Sequence, residues 1–327
     1  MGRVIKGLNA RILAAASVVG REERQGPLGD LFDAHDDSGK FGAATFEQAE
    51  GEMVRHTVNL LLKKWGGGTP DVFLGGDLQN QCTASALGLH PFGVPYLGLY
   101  GACSTATEGL LLSSLLVSAG YVTHAVSVTS SHNAAAERQF RLPLEYGGQR
   151  TPTAQWTATA AGAFVLGKEG RGVRVEAVMV GRMVDGGISD AANMGAAMAP
   201  AAADSILAFL SETGAAASDF DAIVTGDLGE EGSALLSMLC EREGVRLSNH
   251  LDCGCLLYDS KRQDVHAGGS GCGCSASVLA SYFLPRLREE RLGRILFLST
   301  GALMSPTSVQ QGSTILGIAP VLLLSGK

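Results

Sequence analysis

Apolar residues follow two rhythms along the chain. Short unbroken runs such as "ILAAASVVG" (12–20), "DVFLGG" (71–76) and "PVLLLSG" (320–326) suit strands buried on both faces. Longer segments show helical spacing. "FEQAEGEMVRHTVNLLLKKWG" (46–66) gathers its apolar side chains on one face and ends in lysines and a glycine, and "APAAADSILAFLSETG" (199–214) also ends in glycine, as a helix C-terminus does. Alternating strands and helices predict a largely parallel α/β protein whose sheets are covered by helices.

The pattern repeats. "PDVFLGGDL" (70–78) returns as "FDAIVTGDL" (220–228), each after a helical segment. "GACSTATEGLLLSSLLVSAGYVTHAVSVTSSHN" (101–133) parallels "GCGCSASVLASYFLPRLREERLGRILFLSTGAL" (271–303), which aligns Cys103 with Cys274. Two motif pairs in the same order imply duplication, with halves at 1–169 and 170–327 and mixed sheets layered between helices. Ligands in open α/β folds bind beyond the carboxyl ends of strands. The informative loops are therefore 76–82, 101–105, 129–141, 226–232, 249–255, 268–275 and 299–306. The stretch 249–269 is read as an excursion without a first-half counterpart.

Composition narrows the function. The net charge of −7 and the absence of a basic block argue against nucleic acid. The seven cysteines are an odd number set in glycine-rich loops, which favours a reducing compartment over a disulfide framework. The run at 12–20 is followed at once by "REERQG", so it reads as a strand rather than an export signal. No run approaches the ~20 apolar residues of a membrane span, and a soluble protein is expected.

Candidate chemistry centres on "LYGACSTATEGLL" (99–111), where a strand gives way through Gly101 and Cys103 to a helix. Unpaired amides and the helix dipole at such a junction can stabilise a thiolate or hold a carboxylate. His132, in "TSSHN", is the natural base in the same half, with Asn133 beside it. Arg138 and Arg141 are three residues apart and, if turned inward, suit a carboxylate ligand; a solvated face is the simpler reading. Cys253, Cys255, Cys272 and Cys274 form Cys-x-Cys pairs rather than the usual Cys-x-x-Cys knuckle, so neither a metal nor a cofactor is assigned.

These residues resemble the thiolase-fold superfamily, which includes thiolases and β-ketoacyl synthases. More closely they resemble its stage V sporulation protein AD branch, through "GPLGDLFD" (26–33), "GDLQNQ" (76–81), "YGACST" (100–105), "TSSHNAAAERQFRLPLEYGGQR" (129–150), "NMGAAMAPAAADSI" (193–206), "AGGSGCGCSA" (267–276) and "TGALMSPTSVQQ" (300–311). The resemblance implies a non-catalytic role. The protein would bind dipicolinic acid (pyridine-2,6-dicarboxylate), as the free acid or a calcium chelate, and support its uptake with calcium into the developing spore. Other stage V sporulation membrane proteins would be its partners, the inner spore membrane its peripheral location, and a homodimer its state. The resemblance also puts Cys103 at the nucleophile position of the condensing enzymes. Where those enzymes carry histidine or asparagine, this chain has Cys272, and Gly226-Asp227-Leu228 and Ser299-Thr300-Gly301 stand at two further catalytic positions. The implied ligand site is Cys103, His132, Asn133, Arg138, Arg141 and Cys272. The alternative is a condensing enzyme or acyltransferase working through a Cys103 thioester, with His132 as its base.

Overall fold

A long first strand joins everything else. In the computed structural model, which describes residues 3–139 and 149–326, the apolar run at 12–20 is the end of β1 (Val4–Gly20). The other principal strands are β2 (Val72–Gly76), β3 (His124–Ser131), β4 (Ala160–Gly167), β5 (Val173–Met179), β6 (Ala222–Thr225), β7 (Arg294–Leu298) and β8 (Val321–Ser325). β1 pairs antiparallel with β4 through Arg11–Val19 and with β5 through Val4–Ile12, and bulges at both joins let one strand serve two neighbours.

Among the described residues the result is one eleven-stranded sheet: ten strands form a path whose pairing repeats, and the eleventh, Ala34–Asp36, pairs parallel with the end of β1. On one side the order is β1–β4–β3–β2 and then the edge strand Tyr96–Gly98; on the other it is β5–β8–β7–β6 and then the edge strand His250–Asp252. In each series the first two joins are antiparallel and the next two parallel. The "GDL" motifs end β2 and β6, so they occupy matching places. His250–Asp252 matches Tyr96–Gly98, which narrows the excursion without a counterpart from 249–269 to the stretch 253–269. Both strands are only three residues long, too short to show a period.

Helices α1 (Phe46–Trp65), α2 (Thr105–Ala119), α3 (Met194–Thr213), α4 (Gly229–Arg242) and α5 (Cys272–Val278) fill the layers. Thr45 caps α1 by accepting the Gln48 amide at 3.2 Å, and glycines in the left-handed conformation end α1, α2 and α3 at positions 66, 120 and 214. α3 starts at Met194, earlier than the expected 199, because the Asn193 side chain caps it and Pro200 lies inside rather than at its first turn. α1 packs Val54, Val58 and Leu61 on Phe73, Val126 and Val165, while α3 and α4 pack Ile206, Phe209 and Leu236 on Ile223, Leu296 and Val321. Between these outer cores, α2 and the helical run from α5 to Arg288 share a central core with strands from both ends of the sheet. Each fully buried large apolar side chain contributes roughly 1.5–3 kcal/mol.

Ala102–Ala119 and Met194–Thr213 reach the length and apolar composition of a membrane span, but both are mostly buried in these cores, as core helices are.

Candidate functional site

The loops at the carboxyl ends of the strands meet around a cavity of about 320 Å³. Leu78 and Asn80 follow β2, Tyr100, Ala102 and Cys103 lead into α2, and Gln139 follows the turn after β3. Thr157 and Ser270 face it as register partners in a small parallel ladder, Trp156–Thr157 with Gly269–Ser270. Met194 opens α3, and Ala302–Pro306 close the cavity from beyond β7. Gly301 is required there, since a Cβ would lie 2.7 Å from Gly101 O and 3.1 Å from Ser104. At the mouth, the exposed Tyr100 hydroxyl donates to Asn80 Oδ1 at 3.1 Å.

Cys103 forms part of the floor and is 5% exposed. It lies in a tight turn (Ala102–Ser104) just before α2, entered through Ala102 at φ +52°. Its sulfur is 3.9 Å from Ser270 Oγ and faces the Asp227 carboxylate. Burial first, then the charge of Asp227 and the neighbouring Cys272, push the Cys103 thiol well above its usual range. The helix terminus was expected to favour the thiolate. A helix end is worth about 0.3–1 kcal/mol at an exposed charge, whereas burying an ion costs several kcal/mol, so burial wins.

Asp227 is fully buried at the end of β6. Its carboxylate accepts from Thr300 Oγ1 at 2.7 Å, the Gly271 amide at 2.8 Å and Ser270 Oγ at 3.2 Å. Burial nevertheless raises its pKa to about 6. Gln155 steadies the same corner by donating to Asp227 O and Gly269 O at 2.7 and 2.8 Å. Sequence reasoning missed Ser270, while Asp227 was marked both by the repeated "GDL" and, like Thr300, by its place at a catalytic position of the condensing enzymes, though not as a partner of Cys103. Asp77, its counterpart after β2, is also buried and accepts from the Gln79 amide and from the amide and hydroxyl of Ser85.

The other expected site residues are placed differently. His132 is buried away from the cavity lining, with Nε2 2.7 Å from Gly39 O and its ring 5.3 Å from that of Phe46. Burial pushes its pKa below the usual imidazole value. Asn133 touches the cavity wall only indirectly, by donating to Thr157 O at 3.2 Å. Arg138 pairs with Glu47 at 3.1 Å beside Phe46. The Cys272 thiol donates to Ser130 O at 2.9 Å behind the floor. Arg141 lies outside the described residues. Cys274, the repeat partner of Cys103, is buried and donates to Gly226 O at 3.7 Å. The described lining residues carry no charge: they offer amides, hydroxyls and one thiol among Leu78, Met194, Leu303 and Met304.

Residues 5–325 match the family model for stage V sporulation protein AD. The chain is also 42% identical over 310 residues to stage V sporulation protein AD of Bacillus subtilis (strain 168), covering 94% of this chain and 91% of that protein. The chain belongs to the stage V sporulation protein AD family.

Among solved structures, this member of the family is similar to the tetronic acid condensing enzyme AbyA1 (TM-score 0.61, 18% identity, 97% of this chain and 99% of the other). It is also similar to cerulenin-bound OleA of Xanthomonas campestris (TM-score 0.62, 13% identity, 97% and 98%). A third likeness is to 3-oxoacyl-[acyl-carrier-protein] synthase III of Aquifex aeolicus VF5 (TM-score 0.57, 11% identity, 96% and 99%). At these identities the likeness establishes the thiolase-like fold of this sporulation protein.

Proposed function

We propose that this sporulation protein binds dipicolinic acid in the cavity above Cys103 and supports its uptake, with calcium, into the developing spore. Its partners in this role are the other stage V sporulation membrane proteins, and it works peripherally at the inner spore membrane as a homodimer. Family membership supports the ligand, and the character of the cavity supports binding over turnover. Its volume lies at the lower end of the ~300–1,000 Å³ range of small-molecule sites, and its apolar walls carry a few polar groups to orient a flat ring. The single observation that carries the reading is the environment of Cys103: a buried thiol facing a carboxylate, with His132 engaged elsewhere.

The uncharged described lining bears on the form of the ligand. A free dianion would lose its hydration without meeting an opposite charge, whereas the one-to-one calcium chelate is neutral overall. Arg141, outside the described residues, stays in the proposal as a source of charge. A second reading, acyl transfer through a Cys103 thioester, rests on the sulfur's place in the cavity wall. It requires a base that can take a proton from a thiol held well above its usual range.

Calorimetric titration of the full chain with dipicolinate, with and without calcium, tests the reading against acetyl-CoA as the comparison ligand. Saturable dipicolinate binding that is stronger with calcium is expected. Absence of dipicolinate binding, together with acylation of Cys103 by acetyl-CoA, overturns it in favour of acyl transfer.

A further inference from the structure

Hydrogen-bond direction at the cavity floor says more about Cys103 than its position does. Asp227 takes three donors, of which one is the Ser270 hydroxyl at 3.2 Å. A serine hydroxyl carries a single proton. With that proton directed to Asp227, Ser270 presents only a lone pair to the Cys103 sulfur 3.9 Å away, so the thiol is the donor of that contact. We infer that Asp227, acting directly and through Ser270, is a positioning residue that fixes the proton on Cys103 and makes the cavity floor a hydrogen-bonding thiol instead of a nucleophile. The inference deepens the binding reading and rests on it for its biological sense.

The charges around the sulfur point the same way. Cys103 is faced by the Asp227 carboxylate from the end of β6, which disfavours a second negative charge, and by Cys272 and Cys274 from α5, neutral buried thiols that offer no positive charge to a thiolate. Asp227 in turn is faced by Thr300, Gly271, Cys103 and the buried Asp252. The internal repeat separates two roles of such an aspartate. Asp77 orders its own loop through Gln79 and Ser85, so ordering a loop is common to both positions. Facing the cavity thiol is what Asp227 adds.

Asp227→Asn keeps the shape and removes the charge; turning its NH2 toward Thr300, whose hydroxyl can accept, keeps the Gly271 amide satisfied. Site-resolved mass spectrometry of iodoacetamide labelling from neutral to alkaline pH reads the outcome. In that reaction the thiolate forms a carbon–sulfur bond as iodide leaves, so the rate follows the thiolate fraction. Cys103 of the wild-type chain is expected to resist labelling past the pH at which an ordinary thiol near 8.5 reacts. In Asp227→Asn it is expected to label at least tenfold faster at neutral pH, while Ser270→Ala, which removes the relay but leaves the carboxylate charged, is expected to be accelerated clearly less.

Three results overturn the inference: an unchanged rate in Asp227→Asn; equal acceleration in Ser270→Ala or at Cys272 and Cys274, which would mean loosened packing; and, should the variant not fold, ordinary labelling of Cys103 in the wild-type chain. The readout is independent of dipicolinate. An unchanged Cys103 rate defeats this inference alone, and absent dipicolinate binding defeats the binding reading alone.

Discussion

A sulfur at the start of a helix is ordinarily easier to ionise than one in water, and Cys103 is harder. Its residue type and place were legible because the strand-to-glycine-to-helix pattern at 99–111 has few other uses. The direction of its pKa shift was not, because it depends first on burial in the folded chain and then on Asp227, more than a hundred positions away in the chain and brought beside it by the sheet. A second buried carboxyl makes the same point. Glu50, fully buried on α1, accepts from Gln79 Nε2 at 2.7 Å and Ser130 Oγ at 2.9 Å. Burial, and then the charge of Asp77, raise its pKa from 4.5 to about 8. Below pH 4.5 the group is protonated folded or unfolded, and its stabilising contribution is fully present. As pH rises from 4.5 to about 8 the unfolded chain releases the proton while the folded chain keeps it, so that contribution is lost. Glu50→Gln imitates the protonated form. Thermal melts at pH 5 and pH 8 are expected to show a smaller drop in Tm for the variant than for the wild-type chain. Parallel pH profiles would show that Glu50 ionises normally.

At the scale of elements, the junction between sheet and central helices sets the tolerances. Gly273, in the first turn of α5, has no room for a methyl group. A Cβ there would run into the Ala160 carbonyl on β4 and lie 2.7 Å from Ser131 Oγ on β3. Backbone cannot yield as a flexible side chain does, so Gly273→Ala is expected to cost at least the ~1–3 kcal/mol typical of overpacking. Denaturant titration checks this, and a midpoint unchanged from wild type would mean that α5 can shift. Most elements were legible for ordinary reasons: buried strands as apolar runs, helices by period and glycine ends. The short pieces were not. Trp156–Thr157, Gly269–Ser270 and Gly301–Leu303 have too few residues to show a rhythm, yet they build the cavity wall. His132, Asn133 and Arg138 were read as site residues because their loop follows a strand; the chain then turns, and their side chains contact Gly39, Thr157 and Glu47.

At the scale of the molecule, the matching strand orders explain why a repeat found as two motif pairs implied the layered architecture. They also leave the sheet with an open end. All three residues of Tyr96–Gly98 are exposed there, with Leu97 half uncovered and Leu87 and Tyr100 also exposed. An unpaired edge with apolar side chains invites strand pairing with another chain. For the proposed homodimer this edge is the natural contact, and Leu97→Lys is expected to shift the protein toward monomer in analytical ultracentrifugation. A wild-type monomer, or an unaltered dimer in the variant, would place the contact elsewhere or remove it.

The claim that the cavity above Cys103 holds dipicolinate is tested most directly by filling that cavity. Leu303 lines it from the Gly301–Leu303 strand, is half-buried and lies outside the packed cores, and Leu303→Trp adds bulk to the cavity wall without adding charge. Calorimetric titration with dipicolinate and calcium is expected to show saturable binding to the wild-type chain and at least tenfold weaker binding to the variant, with the same Tm for both. Equal affinity in the two chains would contradict the account by placing the ligand outside this cavity.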